Sequence, residues 1–156
     1  MEISKMFRNA FFRNRMWNSI LLTAAIIYIL IMVKLLFLRG TAHFSSGYSY
    51  NVVPFKTIKQ YIVNRDHFNL DTWVKNLFGN IVLFIPLGVF GPLLNVKLLR
   101  ATLFLESVIS LLFCVELIQL VSKEGSFDID DVILNTVGAL MGLLFTSLFG
   151  KGQNAH

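Results

Sequence analysis

At 156 residues the chain is one domain's worth, yet only 15% of it is charged and 55% is apolar, against roughly 25% charged in soluble domains. Such a surface excludes water as the main solvent and points to lipid. The net charge of +5 does not signal nucleic acid, because the basic residues flank apolar runs instead of interleaving with exposed aromatics. Cys114 is the single cysteine, which excludes disulfides and cysteine-rich metal sites.

The first apolar run, residues 17–38, follows Lys5, Arg8, Arg13 and Arg15. It carries no small-x-small cleavage pattern and is long enough to cross a hydrocarbon core of about 30 Å, so it is predicted to span rather than be removed. Lys34, near its far end, is predicted to be an interfacial anchor or the counter-charge of a buried acid. The loop that follows contains "NVVPFKTIKQYI", residues 51–62. There Asn51 precedes an extended Pro54 segment, and Ile58, Tyr61 and Ile62 line one side of an amphipathic stretch. This stretch is predicted to lie flat at the interface as a lid.

Three further spans are predicted over 77–96, 101–121 and 129–149. The second holds Pro86, Gly88, Gly91 and Pro92, tolerated in a bundle as kinks and close-packing points. The fourth carries Gly138 and Gly142, a small-xxx-small face that could also join copies of the chain in a homo-oligomer. The expected fold is therefore all-α: a polytopic transmembrane bundle of four spans in a single domain, 1–150, with an extracellular loop between the first two spans and a disordered tail, 151–156. Lys and Arg are densest before the first span, in the second-to-third turn (Lys97, Arg100) and at Lys151, which predicts cytoplasmic termini.

At a rise of about 1.5 Å per residue, that topology puts the polar residues at one depth. Asn76 and Asn80 lie at the outer end of the second span, and Glu116 and Gln119 share a face near the outer end of the third. Asp128, Asp131 and Asn135 form an i, i+3, i+7 stripe where the fourth begins. Ionisable groups inside a membrane turn inward and mark functional sites. Glu116 and Asp131 are the candidate acid–base groups, and Asn51, Asn80, Gln119, Asp128 and Asn135 the candidate ligand-binding groups. Structural alternatives stand beside these. Asp128 fits a helix N-cap, with Asp131 completing a pattern like a capping box. Asn80, Gln119 and Asn135 fit interhelical hydrogen bonding, and Glu106 fits a pair with Arg100. No cofactor is expected, a divalent cation at Asp128 and Asp131 being the one alternative.

Four blocks, "NVVPFKTIKQYI", "NLFGNIVLFIPLGVFGPLL", "ELIQL" and "SFDIDDVILNTVGALMG", resemble in order and spacing the VanZ-like membrane proteins, a family named for a teicoplanin-resistance protein of Gram-positive bacteria. The resemblance covers roughly residues 50–145. Its motif positions fall on Asn51, Pro54, Phe55, Asn80, Pro86, Gly88, Glu116, Gln119, Asp128, Asp131, Asn135 and Gly138. Many relatives have an arginine shortly before the aspartates, where this chain reads "KEGSFD". Lys123 there supplies a point charge without a bidentate grip. The resemblance implies a bacterial plasma-membrane protein and adds a resistance context. The leading expectation is binding of a lipophilic glycopeptide or lipid-linked cell-wall intermediate by the outward-facing polar layer. The alternatives are an intramembrane enzyme acting on a lipid-linked substrate, with Glu116 and Asp131 as acid–base groups, and a small carrier or flippase.

Overall fold

The computed structural model describes residues 15–37, 48–123 and 125–152. In chain order the elements are α1 (Arg15–Phe37), β1 (Tyr50–Asn51), α2 (Lys56–Val63), α3 (Leu70–Val74), α4 (Asn80–Leu94), α5 (Ala101–Ser122), β2 (Phe127–Asp128) and α6 (Ile129–Gly152). A π-helical turn, Lys75–Gly79, joins α3 to α4, so Leu70–Leu94 runs as one helix of 25 residues. Among the described residues, four helices are long and apolar enough to cross a membrane: Arg15–Phe37, Leu70–Leu94, Ala101–Ser122 and Ile129–Leu148. The all-α, four-span expectation holds. The second helix starts earlier than residue 77, because Leu70, Trp73 and Val74 add an apolar turn that the Asp71–Lys75 ion pair, four residues apart, supports at its wet end. At the other terminus α6 reaches Gly152, two residues into the segment expected to be a tail; residues 153–156 lie outside the described residues.

The bundle is built around α4 and α6, which pack against each other more extensively than any other pair of elements. Glycines make this approach possible. A methyl group on Gly138 would fall within 3.0 Å of the Ile81 carbonyl oxygen, one on Gly142 within 3.0 Å of the Ile85 oxygen, and one on Gly88 within 3.0 Å of the Ala139 oxygen. The small-residue face predicted for helix packing is thus used between α4 and α6. Pro92 cannot donate to the Gly88 carbonyl one turn back; the buried Thr146 hydroxyl, which donates to the Gly142 carbonyl at 3.0 Å, also comes within 3.4 Å of the Gly88 oxygen.

The apolar core comprises Met32, Phe84, Phe104, Val108, Leu112, Val132, Ala139 and Leu143. On α5 the buried positions are Phe104, Val108, Leu112 and Glu116, a single stripe with a period of four. Glu116 therefore continues the inward face of its helix. On α1 only Ala25 and Met32 are buried, while Ile20, Ile27, Leu30 and Ile31 among others are exposed, as expected of a face whose solvent is lipid. The Tyr28 hydroxyl holds α1 to α4 by donating to the Leu83 carbonyl at 2.9 Å.

Candidate functional site

The loop after α1 is pinned to the entrance of α6. β1 and β2 pair in parallel, Tyr50 with Phe127 and Asn51 with Asp128. Beyond β1, Phe55 adopts a left-handed backbone (φ 64°) and turns the chain into α2. A non-glycine residue rarely takes this conformation without a compensating contact. The compensation comes from Asp130, whose side chain is fully buried. Its carboxylate accepts the Phe55 N–H at 2.5 Å, the Thr57 N–H at 2.7 Å and the Ile58 N–H at 3.1 Å. These are orphan donors of the first turn of α2, and the anion also sits at the positive end of that helix.

Asp128 is the second anchor. Its Oδ1 accepts the Asp130 N–H and the Asn51 amide, at 2.9 and 3.0 Å, and its Oδ2 accepts the Thr57 hydroxyl at 2.6 Å. Asp128 therefore caps α6, as its position suggested. Asp131 does not complete the capping box: the Asp128 N–H goes to Glu116 Oε2 on α5, at 2.9 Å. A carboxylate from another helix fills the role that the local pattern assigned to residue 131.

Below this clamp, the Asn80 amide donates to Asp131 Oδ1 at 2.6 Å and to the Asn76 carbonyl at 3.2 Å. Asp131 and Asp128 both lie within electrostatic range of Glu116. Asn135 follows one turn after Asp131 on α6, is 3% exposed, and its Oδ1 has no hydrogen-bond partner among the described residues. Above the layer, α2 forms a roof. Tyr61 packs on Phe68 with ring centroids 4.7 Å apart, and its phenol lies near the Asn76 side chain. Burial, and next the charges of Asp131 and Asp128, raise the Tyr61 pKa above its usual value.

Asn51, Asn80, Glu116, Asp128 and Asp131 are thus linked around the α5–α6 corner, with Asn135 beneath. Gln119 turns elsewhere. Its amide donates to the Leu36 carbonyl of α1 at 2.9 Å, and its side chain lies against Gly125, so it ties α1 to the bundle. Replacing Gln119 with leucine is expected to loosen that end of α1 and lower stability by about 0.5–1.5 kcal/mol, the range of a membrane interhelical hydrogen bond. Thermal unfolding in detergent measures this, and an unaltered midpoint would show the bond to be incidental. Lys34 is exposed and forms no ion pair with Glu116, and Glu106 and Arg100 are exposed and unpaired with each other. Lys123 stacks its ammonium over the Tyr48 ring at 5.4 Å.

Asp130, Thr57 and Tyr61 are missing from the sequence-based site. Their signal was available: α2 has no side-chain cap of its own at Phe55, so its first N–H groups required an acceptor from elsewhere in the chain. Both Asp128 oxygens face hydrogen-bond donors.

No solved structure matches the chain. A protein named VanZ from Enterococcus faecium is 36% identical over 110 residues, a stretch spanning 67% of this chain and 65% of that relative. A model of the VanZ/LLP1 family matches residues 9–150. With its four membrane-spanning helices and nearly its whole length matched, the chain belongs to the VanZ/LLP1 family.

Proposed function

We propose that this is a cell-envelope membrane protein in which the layer of Asn80, Glu116, Asp131 and Asn135, roofed by α2, binds the polar head of an amphiphile. The candidate ligand is a lipophilic glycopeptide of the teicoplanin type or a lipid-linked cell-wall intermediate, and binding it contributes to glycopeptide resistance. Lys and Arg gather before α1, around Lys97 and at Lys151, so both termini are assigned to the cytoplasm and the layer to the outer side.

The observation that carries this reading is Asn135. Its carboxamide oxygen is buried and without a partner among the described residues, and an oxygen left so forfeits its hydrogen bond, a deficit of about 1–3 kcal/mol. A ligand bringing N–H or O–H groups would remove it. Glu116 adds a second reason, since it accepts one protein hydrogen bond and pairs with no cation among the described residues. Amino groups and sugar hydroxyls meet both needs.

The test is expression of the wild type, Glu116→Gln and Asp131→Asn at matched membrane abundance in a susceptible host. Both variants are expected to return teicoplanin tolerance toward the host's baseline. Binding of teicoplanin to the purified variants should weaken about tenfold or more, the effect of removing a charge-assisted hydrogen bond. Undiminished tolerance and binding would remove the layer from the function. A changed lipid-linked precursor in cells carrying the wild type, lost with Asp131→Asn, would replace binding with catalysis.

A further inference from the structure

A second cleft lies beyond the polar layer, where α2 ends and the helix Leu70–Leu94 begins. It has a volume of about 390 Å³ and is lined by Arg65, Asp66, Phe68, Leu70 and Trp73. We propose that this cleft binds the phosphate-bearing headgroup of a membrane lipid, with Arg65 on the phosphate.

The cleft sits at the height such a headgroup occupies. Leu70 opens a membrane-spanning helix, and Trp73, one turn in, stands where interfacial aromatic residues gather. Its charge is available. The Arg65 guanidinium lies 5.2 Å from the centre of the Trp73 ring, and no carboxylate among the described residues forms an ion pair with it. A guanidinium laid on an aromatic face keeps its N–H edges for a planar or tetrahedral oxyanion. The platform is also fixed before any ligand arrives: the Trp73 indole N–H donates to the Tyr61 carbonyl at 2.9 Å, and Phe68 packs against the Tyr61 ring at a tilt of 50°. A set orientation reduces the ordering cost of binding.

Two features favour a lipid over free phosphate. Asp66 shares the cleft and would repel a small, highly charged anion. The same carboxylate suits the hydroxyl or ammonium group of a lipid headgroup. Beside it Ile62, Val63 and Leu70 are 61%, 69% and 66% exposed, an apolar strip against which an acyl chain can lie.

The full chain, in a phosphate-free maltoside detergent, provides the test. A Trp17→Phe background leaves Trp73 as the only tryptophan, since the chain has two. Titration with short-chain phosphatidylglycerol is expected to change Trp73 emission saturably, with a midpoint about tenfold higher in Arg65→Gln and intermediate in Arg65→Lys, which keeps the charge but not the fork. Lys59→Gln, on the exposed side of α2, should titrate like the background. Inorganic phosphate over the same range should give no saturable change. The assignment is overturned by a lipid midpoint that is the same with and without Arg65, by no saturable response to the lipid, or by inorganic phosphate matching it. Glycopeptide binding at the polar layer can succeed or fail independently of these results.

Discussion

Asp130→Ala is expected to detach α2 from the membrane bundle. Three backbone N–H groups converge on this one carboxylate, which is fully buried and has no cationic partner among the described residues. Hydrogen bonds to an ionised acceptor contribute about 1.5–3 kcal/mol each, and part of that is recovered when α2 swings into water. The net loss should therefore be about 3 kcal/mol or more, a severe effect for one substitution. Hydrogen exchange resolves it locally: the amides of Thr57 and Ile58 should lose protection in the variant while those of α4 and α6 keep theirs. Asp130→Asn retains one acceptor oxygen and should fall between the two. If Thr57 and Ile58 stay protected in Asp130→Ala, the carboxylate is not what seats the roof.

The other large effect belongs to the α4–α6 seam. Gly138→Ala should prevent close approach of the two helices, because the added methyl meets the Ile81 carbonyl oxygen and backbone cannot move aside as a side chain can. Overpacking costs typically 1–3 kcal/mol in cores with some give, and this site should reach or exceed about 3 kcal/mol. Gly91→Ala supplies the control. There the methyl would sit 3.5 Å from Leu98 and 3.6 Å from Phe104, ordinary contact distances, and alanine is the better helix former. The expected ranking of unfolding midpoints in detergent is Gly91→Ala near the wild type and Gly138→Ala far below it. Equal midpoints would mean that α4 and α6 are not held as closely as described.

Both effects depend on features that differ in how visible they were beforehand. Gly138 and Gly142 stood out in the sequence as a helix-packing face, but not the helix they pack on. Asp130 had the opposite fate: counting by three and four from Asp128 selects Asp131 and Asn135 and leaves Asp130 off the stripe. In the first turn of α6, however, a side chain off the inward stripe can reach the segment lying across the helix end. That segment, 55–58, is more than seventy residues away in the chain.

The sequence alone determined the number of spans and their approximate positions, and led to the expectation of one depth for the polar groups. These follow from run length and rise per residue, and a hydrocarbon slab imposes both limits whatever the neighbouring helices do. The tertiary structure alone decided the partners: Glu116 on the Asp128 N–H, Gln119 on α1, Asp130 under the roof, and the glycines turned toward α4. Depth is a coordinate along one axis, which local sequence supplies. A hydrogen-bond partner depends on how each helix is rotated against the next, and only packing fixes that angle.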